Sequence, residues 1–474
     1  MKSLVLLLGL LSSVSIPHAG FSAPPNILIL LADDLKHHDL GITGCKDIPT
    51  PHIDALCASG THFTQAYCTA PLCAPSRAGL LTGRNQARFG FDFNPEPYVA
   101  EDQGNRLQHP DRFKNGLPQS EKTIATHLKT AGYQTAWIGK WHLGEAEWAQ
   151  PKNHGFQHCY GFLPGVQSYR PMTNLEAKRA GDTPPLNHCL LDNGKWVKNT
   201  SNITDMLGAE AARYISANKE KPWFMYCAFN APHGPHQPDP EREKRFAHIE
   251  NDARRKLAAT ISHLDDAVGV MMKALADSGQ RERTLVIFVN DHGISSPGEW
   301  SGGKGTMMEG GLRSLMFLSW PGRIAAGAQR QDRVSFLDIA PTALAAAGVA
   351  VAETKLEGTD LLATASIPNR PLAWRMDDDY AFRDEGDWKL VGKPGGVALY
   401  DLKTDPLEKK DLAASHPEKL AELTARWKKW DSENARPMWR AVSEGAKKPT
   451  GADNRKKREA LKAKSEATPT QPKP

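Results

Sequence analysis

Residues 26–34 read NILILLADD, an unbroken run, apolar after its first residue, that stops at two adjacent carboxylates. A strand with one wet face alternates apolar and polar residues, whereas a continuous run belongs to a strand covered on both faces, as in parallel sheets packed between helices. Runs of the same kind recur at residues 223–229 (WFMYCAF) and 284–290 (TLVIFVN), with shorter strands expected at 135–138 and at 314–320, the latter stopped by Pro321-Gly322. Helical patterns stand between them, at 51–60 (Thr50-Pro51 opening, Gly60 closing), 120–131 (closed by Gly132), 257–275 and 334–347. The alternation predicts an α/β fold, a large mixed and mostly parallel sheet with helices on both faces. From about residue 370 the pattern shortens into strand-and-turn units (DWKLVG, ALYDL) and a helix near 417–430, which predicts a small α+β C-terminal subdomain.

The chain of 474 residues is 40% hydrophobic and 24% charged, the mix of a globular protein long enough to bury a large core. After the first twenty residues no apolar run is long enough to cross a bilayer, so no membrane span is expected. Residues 1–23 have Lys2, an apolar stretch from Leu4 to Ile16 and small residues at Ser22 and Ala23, which predicts a signal peptide and a periplasmic or secreted protein. The seven cysteines would then meet an oxidising compartment, where an odd number leaves one unpaired. The net charge of +5 is a property of the tail: residues 447–474 hold nine Lys/Arg against three acids, which leaves −1 for the rest. A basic disordered end is expected there, and nucleic acid is not expected as a partner.

In open α/β sheets the ligand sits beyond the carboxyl ends of the strands. Four expected strands end in ionisable residues: Asp33 and Asp34, Lys140 and His142, His233, and Asp291 and His292. Three carboxylates and an imidazole suit a hard divalent cation of the calcium or magnesium kind. Lys140, His142, His233 and Lys304, in the glycine-rich SGGKG turn, add cations and proton carriers, and together these residues describe a site for an anionic substrate. Cys73-Ala74-Pro75-Ser76-Arg77 opens a further helix that Gly83 closes, so Cys73 lies where a helix N-terminus favours anions. Taken alone, Cys73 reads either as such a group or as a disulfide or buried thiol.

The CAPSR element with Leu80-Leu81-Thr82-Gly83-Arg84 resembles the signature of the formylglycine-dependent sulfatases of the alkaline phosphatase superfamily. In the same order as in that family stand Pro51-His52-Ile53-Asp54, Gly139-Lys140-Trp141-His142-Leu143-Gly144, Ala231-Pro232-His233, Asn290-Asp291-His292-Gly293, and Lys304 through Glu309-Gly310-Gly311-Leu312-Arg313. The resemblance spans nearly all of the mature chain. It implies an alkaline-phosphatase-like fold, with residues 24–365 as the catalytic domain, 366–446 as the C-terminal subdomain and 447–474 as the tail. It also implies that a maturation enzyme oxidises Cys73 to Cα-formylglycine (3-oxoalanine), whose hydrate is the nucleophile.

By the same resemblance, Asp33, Asp34, Asp291, His292 and residue 73 hold Ca2+, with Mg2+ as the second choice. Arg77 steadies the nucleophile, Lys140 and Lys304 clamp the sulfate, His233 protonates the leaving oxygen and His142 takes the proton of the second hydroxyl. His236 is left for substrate contact, and the implied substrate is a sulfated saccharide, attacked from its end, or an aryl sulfate. Ala74, where the family often has Cys, Ser or Thr, and His292, where many relatives have Asn, depart from the pattern. A phosphatase of the same superfamily would need Ser or Thr in place of Cys73, and a polyanion-binding protein would not require the strand-end residues. His37, His38, His109, His154, Tyr169, Trp374, Arg375 and Asp377 are candidates for lining a sugar pocket, with a solvated surface as the plainer role of each.

Overall fold

The computed structural model describes residues 24–95, 114–171, 189–295, 299–350, 355–363 and 366–439; the expected signal peptide, the basic tail and His109 lie outside them. In chain order the main elements are β1 (Asn26–Asp33), α1 (Pro51–Ala58), β2 (Thr61–Tyr67), α2 (Cys73–Thr82), α3 (Ile124–Thr130), β3 (Gln134–Lys140), β4 (His158–Phe162), β5 (Cys189–Asp192), β6 (Lys195–Lys198) and α4 (Ile203–Ala217). They continue with β7 (Trp223–Pro232), α5 (Asp252–Asp277), β8 (Thr284–Asn290), β9 (Arg313–Ser314), β10 (Met316–Ser319), β11 (Ala328–Ser335) and α6 (Ile339–Ala346). The C-terminal part holds β12 (Leu372–Met376), β13 (Asp379–Arg383), β14 (Trp388–Lys393), β15 (Gly396–Asp401) and α7 (Pro417–Asp431).

The large sheet runs β11-β2-β10-β8-β1-β7-β3-β4-β5-β6, with β9 against β2. β8, β1, β7, β3 and β4 are mutually parallel, while β10 runs antiparallel between β8 and β2. The run that opens β1 divides its side chains cleanly. Ile27, Ile29 and Leu31 enter one core with Ala74, Ala78 and Leu81 of α2, Leu128 of α3 and Ala343 of α6. Leu28, Leu30 and Ala32 enter the other with Ile53 of α1, Leu207 of α4 and Ile261 of α5. Both faces of β1 are therefore dry, which is why its sequence does not alternate. The second sheet, β12-β13-β14-β15, is antiparallel and packs Phe382, Leu390 and Leu399 on Leu423 of α7. Trp374 of β12 joins the large core and donates its indole N–H to the Cys68 carbonyl at 2.8 Å.

Several expectations need correction. The segment expected as a helix over 334–347 begins as the end of strand β11, and the helix starts only after a capping box in which Ser335 and Asp338 each accept a backbone N–H of the other. The strand expected at 314–320 is split into β9 and β10. Helix α3 begins at Ile124 and not at residue 120, because the Thr123 hydroxyl caps it by accepting the Thr126 N–H. The seven cysteines form no disulfide: all are free, and all but Cys45 are buried. β2, β4, β5, β6 and α4 were not foreseen.

His154, 2% exposed, closes the loop after β3; its ring centroid is 5.8 Å from that of Trp141, and its carbonyl accepts the Thr123 hydroxyl at 2.7 Å. Burial pushes the imidazole down to about 4 from its ordinary 6.5. Between those two pH values the unfolded chain binds the proton and the folded one does not, so stability present above pH 6.5 is lost as pH falls toward 4. Removing the imidazole should lift about 2 to 3 kcal/mol of that loss. Urea melts at pH 7.5 and pH 4.5 should show a smaller pH difference for His154→Phe than for the parent; an unchanged difference would mean that the ring is protonated inside the fold.

Candidate active site

β1 and β8 run in register, with Ala32 opposite Asn290, so Asp33 and Asp291 emerge side by side at their carboxyl ends. Successive strand residues point to opposite faces. Asp34 breaks that alternation with a φ of 62°, in the left-handed region, and so its carboxylate joins the same cluster; its N–H donates to Asp291 Oδ1 at 3.2 Å. His292 follows Asp291, and its Nδ1 lies 3.1 Å from the Gly293 carbonyl. A carbonyl can only accept, so Nδ1 carries the hydrogen and Nε2 faces the acids. Nε2 is 3.1 Å from Asp34 Oδ1, 3.6 Å from Asp291 Oδ1 and 3.4 Å from Cys73 Sγ.

Helix α2 brings Cys73 and Arg77 to this point. Arg77 is fully buried, with Nη2 3.3 Å from Asp291 Oδ2 and 3.6 Å from Asp33 Oδ2, while Nη1 donates to the Lys140 carbonyl at 3.3 Å. Lys140, at the end of β3 and equally buried, places Nζ 2.6 Å from Asp33 Oδ2. Gly139 before it has a φ of 106°, and a Cβ there would lie 1.9 Å from the Ala228 carbonyl of β7, so only glycine lets β3 end this close. Lys304 reaches in from its glycine-rich turn, 2.7 and 3.0 Å from the two oxygens of Asp34.

Burial alone would push the Cys73 thiol up, but Lys140 and His292 outweigh it and hold it down at about 6. Burial likewise disfavours a charged His292, yet Asp291, Cys73 and Asp34 raise it well above the ordinary histidine range. The acids converging on Nε2 thus call for positive charge at one point, and a proton on Nε2 or a cation facing it meets the same demand. Single ligand atoms of Asp34, Cys73, Asp291 and His292 all lie within 4.8 Å of one another, as do those of Asp33, Asp34, Cys73 and His233. Oxygen donors with one nitrogen fit a hard divalent cation.

His233 follows β7; its Nδ1 donates to the Gly234 carbonyl at 2.6 Å and its Nε2 lies 3.5 Å from Asp34 Oδ2. His236 is half-buried nearby, where burial, His233 and Lys36 depress its pKa against the opposing pull of Asp34. Tyr169, expected as a lining residue of a sugar pocket, has a different place: its hydroxyl lies 2.9 Å from the Asn230 carbonyl and 2.7 Å from the His233 carbonyl, pinning the turn that presents His233. Sequence reading gave no role to Ser76, whose hydroxyl donates to the Asp291 carbonyl at 2.5 Å. No local pattern marks either residue, because their partners are distant in sequence. Tyr169, His154, Trp374 and Arg375 are buried, and Arg375 spends its charge on Asp92 at 2.6 Å. His37 and His38 gather instead around Glu299, at 3.1 and 2.8 Å.

A parallel sheet whose strand ends gather buried acids and fixed cations around one helix N-terminus is the frame of a hydrolase for anionic esters. The profile of the Sulfatase family matches residues 25–349, and the chain belongs to that family, whose members hydrolyse sulfate esters. It is 33% identical over 394 residues to the N-acetylgalactosamine-6-sulfatase of Rattus norvegicus, covering 77% of this chain and 71% of the relative. It is 34% identical to arylsulfatase A of Homo sapiens, over 85% of this chain and 82% of that one. The crystal structure of Ps i-CgsB superposes with a TM-score of 0.80 at 32% identity, covering 94% of this chain and all of that one.

His142 has a φ of 60°, and Gly165 lies directly against its ring: a Cβ there would stand 2.5 Å from Nε2. Gly165→Ala should displace the ring while leaving the fold intact, lowering kcat for an aryl sulfate by about tenfold or more with little change in thermal midpoint. Unchanged kcat with a correctly folded variant would speak against the catalytic role that the resemblance implies for His142.

Proposed function

We propose that this protein is an exported sulfatase that removes sulfate from the ends of sulfated carbohydrates, with Cys73 converted to Cα-formylglycine by a maturation enzyme. The observation that carries the reading is the convergence of Cys73 with Asp33, Asp34, Asp291 and His292 inside a ring formed by Arg77, Lys140 and Lys304. A saccharide substrate is supported by the relative named for N-acetylgalactosamine-6-sulfate chemistry and by the solved complex of Ps i-CgsB with a neocarrahexaose. Among the described residues no helix is long and apolar enough to cross a membrane. Residues 1–23 are read as the signal peptide, 24–365 as the catalytic domain and 366–446 as the C-terminal subdomain.

Asp33, Asp34, Asp291 and His292, with residue 73, would hold the divalent cation, calcium before magnesium because its flexible coordination accepts carboxylates joined by one imidazole more readily than a strict octahedron does. When bound there it neutralises sulfate oxygens and lowers the pKa of an adjoining hydroxyl. Residue 73, as the hydrated aldehyde, supplies one hydroxyl to displace the alcohol at sulfur and a second to expel sulfate as the carbonyl reforms. Arg77, held by two carboxylates and a carbonyl, orients residue 73 from one helical turn away. Lys140, paired with Asp33, and Lys304, paired with Asp34, steady the charge that develops on the sulfuryl oxygens. His233, with its Nδ1 hydrogen committed to Gly234, uses Nε2 to deliver a proton to the leaving oxygen. His142 accepts the proton of the second hydroxyl, and His236 contacts the sugar.

Peptide mass spectrometry of active protein should show the aldehyde at position 73 in the segment from Ala66 to Arg77. Activity from protein whose Cys73 is wholly a thiol would overturn the mechanism. His233→Ala should slow a sugar sulfate far more than nitrophenyl sulfate, by about 100-fold against less than about tenfold, because a phenolate leaves without a proton. Equal losses on the two substrates would move the acid role to His236.

A further inference from the structure

The turn at residues 301–309 that carries Lys304 is tied to the C-terminal sheet by a buried ion cluster. Lys389 of β14 is fully buried, with Nζ 2.9 Å from Glu309 Oε1 and 2.7 Å from Glu408 Oε1. The other oxygen of Glu408 accepts the Glu309 N–H at 2.7 Å, so one carboxylate spans the lysine and the peptide at the end of the turn. At the start of the turn the Ser301 hydroxyl donates to the carbonyl of Leu407, the residue before Glu408. In the middle, the Gly305 N–H donates to the Pro71 carbonyl at 2.9 Å, two residues before Cys73. Both ends of the turn are thus held by residues 407 and 408, and its centre by the segment that leads into the nucleophile helix.

Two features mark the cluster as built for position rather than for cohesion. Glu408 has a φ of 52°, a left-handed conformation that a non-glycine residue keeps only where its surroundings hold it there. Glu309 is claimed three times over, by Lys389, by the Tyr67 hydroxyl at 2.6 Å and by Arg313 Nε at 2.9 Å, and Arg383 reaches the same Tyr67 hydroxyl. An apolar contact of equal area would bind the two sheets with less directional control, since packing alone tolerates small shifts and hydrogen-bonded charges do not.

We infer that Lys389, Glu309 and Glu408 are positioning residues that set where the Lys304 ammonium stands over the reacting centre, which makes the C-terminal sheet part of the catalytic apparatus. The inference rests on the reading of Lys304 as a sulfate clamp. The test is a double-mutant cycle on the full chain, with rates for an aryl sulfate normalised to the aldehyde content at residue 73. Lys389→Met should raise KM about fivefold or more in the parent, yet change it less than about twofold in a Lys304→Ala background, because a residue that acts only through Lys304 has nothing left to position. Lys389→Arg should recover most of the loss. Losses that multiply across the two backgrounds, with Lys304→Ala itself costly, would overturn the positioning role. Lys304→Ala with an unchanged KM would overturn the clamp and this inference with it. Should Lys389→Met fail to fold, Glu408→Gln, which retains an acceptor for the Glu309 N–H, takes its place in the cycle: a KM effect that vanishes in the Lys304→Ala background supports the positioning role, and one that persists there overturns it.

Discussion

Asp33 and Asp291 leave neighbouring parallel strands at the same height, and Asp34 is turned in beside them, so three carboxylates are forced together in a nearly dry place. Ions in such surroundings are costly unless paired and hydrogen-bonded. Much of the local structure follows from meeting that requirement. Arg77 must reach both Asp33 and Asp291, which fixes how helix α2 docks, and docking α2 in that way delivers Cys73 to the same point one turn earlier. Lys140 must reach Asp33, which requires β3 to end close against β7 and makes position 139 a glycine. Lys304 must reach Asp34, which brings in a turn braced from the second sheet.

The charges also indicate what the site is prepared to receive. Arg77, Lys140 and Lys304 balance the three carboxylates among themselves, so the charge that a substrate meets is set by what stands at His292 and residue 73. A divalent cation held as proposed would leave the centre doubly positive, which suits a sulfate ester monoanion together with an ionising hydroxyl on residue 73. The raised pKa of His292 expresses the same demand from the side of the protein: with Nδ1 committed to the Gly293 carbonyl, the proton on Nε2 stands where the acids converge.

The centre of this structure was legible in the sequence because its signals are local. An unbroken apolar run marks a strand dry on both faces, and polar residues directly after such runs fall at one edge of the sheet. The signature helix could be bounded from Pro75 and Gly83 alone. What escaped lies at the margins, where burial is one-sided: β11 (AQRQDRVS) is mostly polar because it is an edge strand, and its pairing with β2 depends on residues more than 260 positions away. Expected disulfides were an inference from compartment and count, while the fold buries six of the seven thiols, Cys57, Cys68, Cys159 and Cys227 among apolar neighbours and Cys73 among the residues of the site. Glu408, Lys389 and the part that Tyr169 plays escaped for another reason. Each acts on a backbone segment or side chain that only the tertiary fold brings near, so no spacing in the sequence carries their role.

The frame of strand-end acids and surrounding cations would serve a phosphate ester as well as a sulfate ester, since both present tetrahedral anionic oxygens. The choice between them falls on residue 73. Serine or threonine there would form an ester that water must then hydrolyse, a workable route for phosphorus and a poor one for the more hindered, less electrophilic sulfur of a sulfate. A hydrated aldehyde avoids that attack, because the second hydroxyl on the same carbon expels the sulfate from within. On the proposed mechanism, cysteine at the first turn of α2, beside an arginine at 77 that cannot move without stranding two buried acids, is the residue through which this fold commits to sulfur.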